Sequence, residues 1–296
     1  MPRSILASVI SGAKHCLSRQ EWHEDAVEAT RLLLTFCGFS FDSRTLVRAI
    51  DAGVLDLLWE IGRCSAKYDT LPLAGHIAGS MGLATALRAA KRAYGRVLDF
   101  LDMDGVDRGR SIAVIREAYA LHYRSYFGYR QRKDWKRDFN CHNAQGPHNS
   151  IVRICACGRT FYCSGSCQRM HWNARHHAVC SGYEPWSMKG RVSLNDALFL
   201  AVHVRERIRQ WQPNIVKMIA PDINHLRPDQ QFSITVDISD PLVQKTGDVY
   251  IDDVAPYSSS DVVLIKVCFR VGCVDRIQPL PFTYRLADFR AVKKLS

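Results

Sequence analysis

The hydrophobic period of the chain changes twice. Up to about residue 130 the apolar positions recur at helical spacing. Leu46, Ile50, Leu57, Leu58 and Ile61 mark one face, and the break at Asp51-Ala52-Gly53 predicts a turn between two short helices. A further helix is expected over residues 110–126. The uncharged stretch 70–87 contains Gly75, Gly79, Gly82 and His76. That makes it a poor membrane span and predicts a buried helix packed closely on its neighbours.

Beyond residue 190 the pattern starts as helix and turns to strand. Ser193-Leu-Asn-Asp196 predicts a helix start, with the serine as cap and the aspartate in the first turn. Leu198, Leu200, Val202 and Ile208 supply its apolar positions, and Pro213 is expected to end or restart it. Residues 232–238 then alternate and Val262–Val271 is β-branched and continuous, so both read as strands. Cys268 and Cys273 lie an odd number apart on or beside the second strand, facing opposite sides, which argues against a metal pair. Six aspartates between Asp237 and Asp261 follow no calcium-loop spacing and read as strand-end turns.

Between these regions, residues 141–180 carry neither period. They hold six of the eleven cysteines and five of the eleven histidines. Thiolate and imidazole are the ligands zinc selects, and here they come in short pairs: Cys155-x-Cys157, Cys163-x3-Cys167 and His176-x3-Cys180. A segment with so few large apolar residues needs metal to fold. His171 and His177 read as surface residues.

The run Phe-Tyr-Cys163-Ser-x2-Cys167-Gln168-x3-Trp172, closing with His176-x3-Cys180, resembles the MYND finger. The spacing is not that of a RING finger. A HIT-type finger shares the Tyr-Cys-Ser-x2-Cys element, and Gln168 and Trp172 favour MYND over it. The resemblance implies two structural zinc ions held by alternating pairs. Cys163 and Cys167 stand as the third pair, His176 and Cys180 as the fourth. The second pair would be Cys155 and Cys157, because Ile154 occupies the usual ligand position. The first would be Cys141 with His148, since His142 leaves little room for a loop. Gln168 and Trp172 stand at the family's peptide-contacting positions, which implies docking of short proline-containing peptides. The piece LVRAIDAGVLDLLWEIGR resembles a segment of an armadillo-type repeat. No second unit recurs at a fixed period, so an ordinary helical bundle is the alternative.

The chain's 296 residues favour about two domains, and their composition is that of a soluble globular protein. The net charge of +11 is weak support for acidic partners, because the finger's Arg153, Arg159, Arg169 and Arg175 offset the negative charge of zinc-thiolate sites. Residues 124–137, RSYFGYRQRKDWKR, interleave basic and aromatic side chains as a nucleic-acid surface would. The plainer reading is a helix end whose aromatics anchor it to the next unit. Clustered zinc-type cysteines point to a reducing compartment, hence an intracellular protein of nucleus or cytoplasm. The first residues read as an amphipathic helix and faintly resemble a mitochondrial presequence.

Taken together, the sequence predicts an α+β multidomain protein. Residues 1–132 form a helical domain, 133–185 a two-zinc cross-braced finger with a basic lead-in, and 186–296 a C-terminal α+β domain. The expected function is a zinc-binding protein-interaction module or adaptor, with transcriptional regulation as a candidate setting and no enzymatic or membrane role. Nucleic-acid binding through 124–137 is the alternative. A SET-type lysine methyltransferase is disfavoured: Ile223-Asn224-His225-Leu226 lacks the Ser-Cys continuation, and no glycine-rich cofactor loop precedes the finger.

Overall fold

The computed structural model describes residues 1–40, 42–64, 67–101, 110–131, 141–143, 153–155, 160–180, 192–223, 230–238, 248–253, 262–272, 274–280, 282, 284 and 285. The expected boundaries near 132 and 185 lie outside them.

The N-terminal region is helical: α1 (Arg3–Cys16), α2 (His23–Gly38), α3 (Arg44–Asp51), α4 (Val54–Cys64), α5 (Leu71–Gly79), α6 (Ala84–Leu101) and α7 (Arg110–Gln131). Leu6, Ile10 and Ala13 fall on one side of α1 and are buried, as an amphipathic helix requires. The turn between α3 and α4 comes where the sequence places it, with Gly53 at φ 101°, a conformation glycine adopts without strain. Residues 70–87 do not form one helix. A 3-10 turn over Ser80–Gly82 separates α5 from α6. The corner lies where the chain meets other elements: a Cβ at Gly82 would stand 3.2 Å from Ile238 Cδ1 and 3.8 Å from Leu200 Cδ2. Among the described residues, no helix is long and apolar enough to cross a membrane.

Two short antiparallel strands, β1 (Arg153–Ile154) and β2 (Phe161–Tyr162), and a short helix, α8 (Gly165–His171), begin the cysteine-rich part. A π turn over Trp172–His176 and α9 (His177–Val179) carry that helix on. The chain then enters α10 (Leu194–Ile223), β3 (Gln230–Asp237), β4 (Asp248–Asp253), β5 (Val262–Val271), β6 (Val274–Pro279) and β7 (Tyr284–Arg285). The sheet order is β4-β3-β5-β6, with β3 parallel to β5 and the other neighbours antiparallel; β7 pairs with the start of β5. On β5 the residues Val263, Ile265, Val267, Phe269 and Val271 are buried, while Leu264, Lys266, Cys268 and Arg270 are half-buried. Four of the six aspartates fall at strand ends; Asp240, Asp261 and Cys273 lie outside the described residues.

The sequence placed a break at Pro213, but α10 runs through it. Ile208 and Ile215 are buried on either side. Their packing outweighs the roughly 3 kcal/mol that an internal proline costs. Residues 124–131 are the last two turns of α7. Tyr126 and Tyr129 set their rings against Phe199 of α10, at 5.4 and 5.7 Å between centroids. The helix-end reading therefore describes this half of the basic segment; 132–137 lie outside the described residues. Buried apolar residues of the N-terminal helices, α10 and the sheet join in one continuous core.

Asp196 links two helix starts across that core. Its own N–H donates to Ser193 Oγ (3.1 Å), and its carboxylate accepts the Ser193 hydroxyl (2.7 Å). The same carboxylate accepts Thr85 N–H (2.8 Å) and the Thr85 hydroxyl (3.1 Å) at the start of α6. Only 2% of Asp196 is exposed. Asp196→Ala takes the acceptor from a half-buried Thr85 and from the exposed Ser193 cap, and is expected to cost about 2 kcal/mol, read as a lower urea midpoint at unchanged slope. A loss under about 1 kcal/mol would mean that water replaces the carboxylate.

Candidate metal centre

The finger is built on the β1–β2 hairpin. Arg153 pairs with Tyr162 and Ile154 with Phe161, and Cys155 N–H closes on Thr160 O at 2.8 Å. His142 N–H donates to Phe161 O (3.0 Å), and Phe161 N–H returns a bond to His142 Nδ1 (3.2 Å). His142 thus extends the hairpin edge. Alternation then divides the hairpin's faces. Phe161 is fully buried in the main core, with Ile154 packed against it. Tyr162, also fully buried, forms a second small core with Cys155, Cys163 and Cys167.

After β2 the chain caps α8, where Ser164 Oγ accepts Cys167 N–H at 3.0 Å. Further on, His177 N–H bonds back five residues to Trp172 O. Five-residue spacing places His171 directly over His176, their rings 5.5 Å apart and 10° from parallel. In an α-helix residues five apart point well away from each other. The π turn thereby brings His176 round to face Cys155.

The candidate ligands gather in two clusters. Cys141, Cys163 and Cys167 form one; Cys155, His176 and Cys180 form the other, with donor atoms within 4.8 Å of one another in each. Cys163 and Cys167 sulfurs are 3.4 Å apart, Cys155 and Cys180 sulfurs 3.6 Å, and His176 Nε2 is 3.2 Å from Cys155 Sγ. Tetrahedral zinc with bonds of about 2.3 Å sets its sulfurs about 3.8 Å apart, so both donor sets fit that ion. Cys157 and His148, the remaining candidate of each set, lie outside the described residues.

Polar groups around Cys167 favour the thiolate that zinc needs. Burial pushes the Cys167 thiol up. Hydrogen bonds from Ser164, Asn143, Cys163 and Cys141 outweigh that and hold it below the ordinary thiol value. Burial takes Cys141 up to about 11, against the pull of the Cys163 and Asn143 backbone N–H groups. Thr160 Oγ1 stands 3.0 Å from His176 Nε2. Asn143, buried beside Cys167 and Cys141, supports the sulfurs and carries no spacing signal that would have marked it in the sequence.

His171 is not the surface residue its sequence context suggests. It is buried, its Nδ1 lies 2.9 Å from the Tyr162 hydroxyl, and its ring lies among those of Tyr162, His176 and His142. Burial, with Arg175, His176 and His142 nearby, lowers its pKa to about 4. His177 is exposed, as expected. Gln168 and Trp172 are both half-buried, one turn apart, and Trp172 sets its ring edge-on to His176 at 5.7 Å.

No curated protein and no solved structure matches the chain. The model of one family does match, over residues 139–180, and it is that of the MYND finger. The match spans both clusters and the helix that carries Cys167 and His176. Residues 139–180 of this chain are a MYND finger, a zinc-binding module for protein–protein interaction.

Proposed function

We propose that the chain is a non-enzymatic adaptor whose finger holds two structural zinc ions and docks short proline-containing peptides beside Gln168 and Trp172. Transcriptional regulation is the candidate setting. Cys141, Cys163 and Cys167 with His148 would hold one ion, and Cys155, Cys157, His176 and Cys180 the other. Four protein ligands leave no position for water or substrate, so the ions would act through structure alone. Elemental analysis of the purified chain is expected to give two zinc ions per molecule; a count of one would remove His148 first. Saturable binding of S-adenosylmethionine by calorimetry would overturn the non-enzymatic reading.

One observation carries the docking reading. Gln168 and Trp172 share one face of a helix whose other face is committed to Cys167, His171 and His176, all buried. A half-exposed indole can stack on proline, and a glutamine amide can bond a peptide backbone. In the full chain, Trp172→Ala is expected to weaken a peptide selected on an array roughly thirtyfold, as loss of an aromatic anchor does, with zinc content unchanged. Because Trp172 also abuts His176, zinc must be counted in the same preparation. Zinc lost together with peptide would make the indole a prop of the metal site and end the groove assignment. The nucleic-acid alternative is weaker, since Tyr126 and Tyr129 already spend their rings on Phe199.

A further inference from the structure

Two series of side chains meet along the seam of α6 and α7. On α6, Arg88, Lys91 and Tyr94 follow at three-residue spacing; on α7, Arg116, Tyr119, Tyr123 and Phe127 follow at three and four. The tyrosines stack across the seam. Tyr94 lies 4.3 Å from Tyr119 and Tyr119 lies 5.1 Å from Tyr123, the ring planes 15° and 14° from parallel. Lys91 Nζ stands 5.0 Å from the centre of the Tyr123 ring. The two helices therefore run antiparallel, which orders the row. Arg116 comes first, beside Tyr94 and Tyr119, then Lys91 on Tyr123, then Arg88 and Phe127.

Arg88, Lys91 and Arg116 are exposed, and among the described residues no carboxylate pairs with any of them. Their neighbour Arg92 shows the contrast: it holds Asp51 through two bonds of 2.8 and 3.0 Å. Glu117 is the one acid in α7. Residues two apart on a helix point away from each other, which turns Glu117 from Tyr119. The Tyr119 and Tyr123 hydroxyls have no hydrogen-bond partner among the described residues. Burial, with Tyr123 beside it, takes the Tyr119 pKa up to about 12, so its hydroxyl remains a donor at neutral pH.

A row of cations and phenol O–H groups calls for a ligand rich in carboxylates or phosphates. The rings decide between the two. Single-stranded nucleic acid gains affinity by stacking base after base on open ring faces. Here Tyr94, Tyr119 and Tyr123 are taken up by one another and by Lys91, and Phe127, 53% exposed, is left as a lone platform. Carboxylates need only the edge of such a stack, where the hydroxyls lie. At about 1.5 Å of rise per residue the row from Arg116 to Phe127 is about 16 Å long, the span of about five extended residues. We propose that the α6–α7 seam docks an extended acidic peptide of a partner protein, its carboxylates on Arg116, Lys91 and Arg88 and on the Tyr119 and Tyr123 hydroxyls.

The test uses the full chain and fluorescein-labelled hexaglutamate, followed by fluorescence anisotropy at physiological salt. Saturable binding is expected, and none for hexaglutamine. Arg88→Glu combined with Arg116→Glu leaves the tyrosine stack in place and is expected to weaken binding about tenfold at an unchanged melting temperature. Lys91→Gln, which removes one charge, is expected to weaken it about threefold. Arg3→Glu with Arg63→Glu, the same charge change at exposed positions of α1 and α4, is expected to leave affinity within about twofold. An equal loss in that control would mean attraction to net charge alone and would overturn the seam, as would the absence of saturable binding. Tighter binding of hexathymidylate than of hexaglutamate would hand the face to nucleic acid. Binding seen only in Asp102→Asn/Asp104→Asn/Asp107→Asn would make the occupant the chain's own acidic segment and overturn the partner.

Discussion

Cys167→Ala is expected to abolish the fold of the finger, with the first cluster losing its metal and the melting temperature of the whole chain falling by more than 10 °C. Structural zinc supplies roughly 10–16 kcal/mol of apparent binding in small fingers, and this segment has little else to fold with. Its own core is Cys155, Tyr162, Cys163 and Cys167, three of them candidate ligands. Cys167 is fully buried, its backbone N–H is held by the Ser164 cap, and its sulfur takes bonds from Asn143 and Ser164. Removing that sulfur leaves buried donors aimed at nothing and the ion one ligand short of its four. Zinc release by chelation, followed by the melting temperature, should reproduce the effect in the wild type. A variant with full zinc content and an unchanged melting temperature would show that the ion is not held by Cys167.

The second large effect is expected at Gly272, between β5 and β6. Its φ is +61°, and a Cβ there would lie 2.1 Å from Ser40 O and 2.9 Å from Gly38 O. Both obstacles are backbone carbonyls at the end of α2, which cannot swing aside as a side chain does. Gly272→Ala therefore combines a disfavoured backbone conformation with overpacking, for a loss of about 3 kcal/mol or more. Gly53→Ala is the comparison. Its φ is positive too, but a Cβ meets only the movable Asp56 carboxylate, at 3.1 Å, and about 1 kcal/mol is expected. Equal urea midpoints for the two variants would show that the β5–β6 hairpin shifts away from α2 at little cost.

Where the sequence was legible, local chemistry dictated local structure. The α3–α4 break, the Ser193 cap and the strands around Ile234 and Val267 follow from period, capping chemistry and turn residues. The finger was legible because metal binding restricts a position to a few atom types, and close spacing in sequence becomes close spacing in space. The features that were not legible depend on distant partners. Pro213 sits inside a helix because Ile208 and Ile215 are packed on both sides of it. The corner at Ser80–Gly82 answers to Ile238 and Leu200, more than a hundred residues away. His171 is buried because a π turn, invisible to a 3.6-residue period, stacks it on His176. Asn143 supports the sulfur of Cys167 with a side chain of a type that most often faces water.

The β1–β2 hairpin gives neighbouring residues to different owners, Phe161 to the main core and Tyr162 to the metal-binding one. It follows that this finger is not a cassette. Cut out along its sequence boundaries, it would leave the wedge of Phe161 bare in water and the scaffold with a hole the size of a phenyl ring. Grafted onto another protein, it would stick before it recognised anything. An exchange of this finger between proteins would have to move both faces of one strand together.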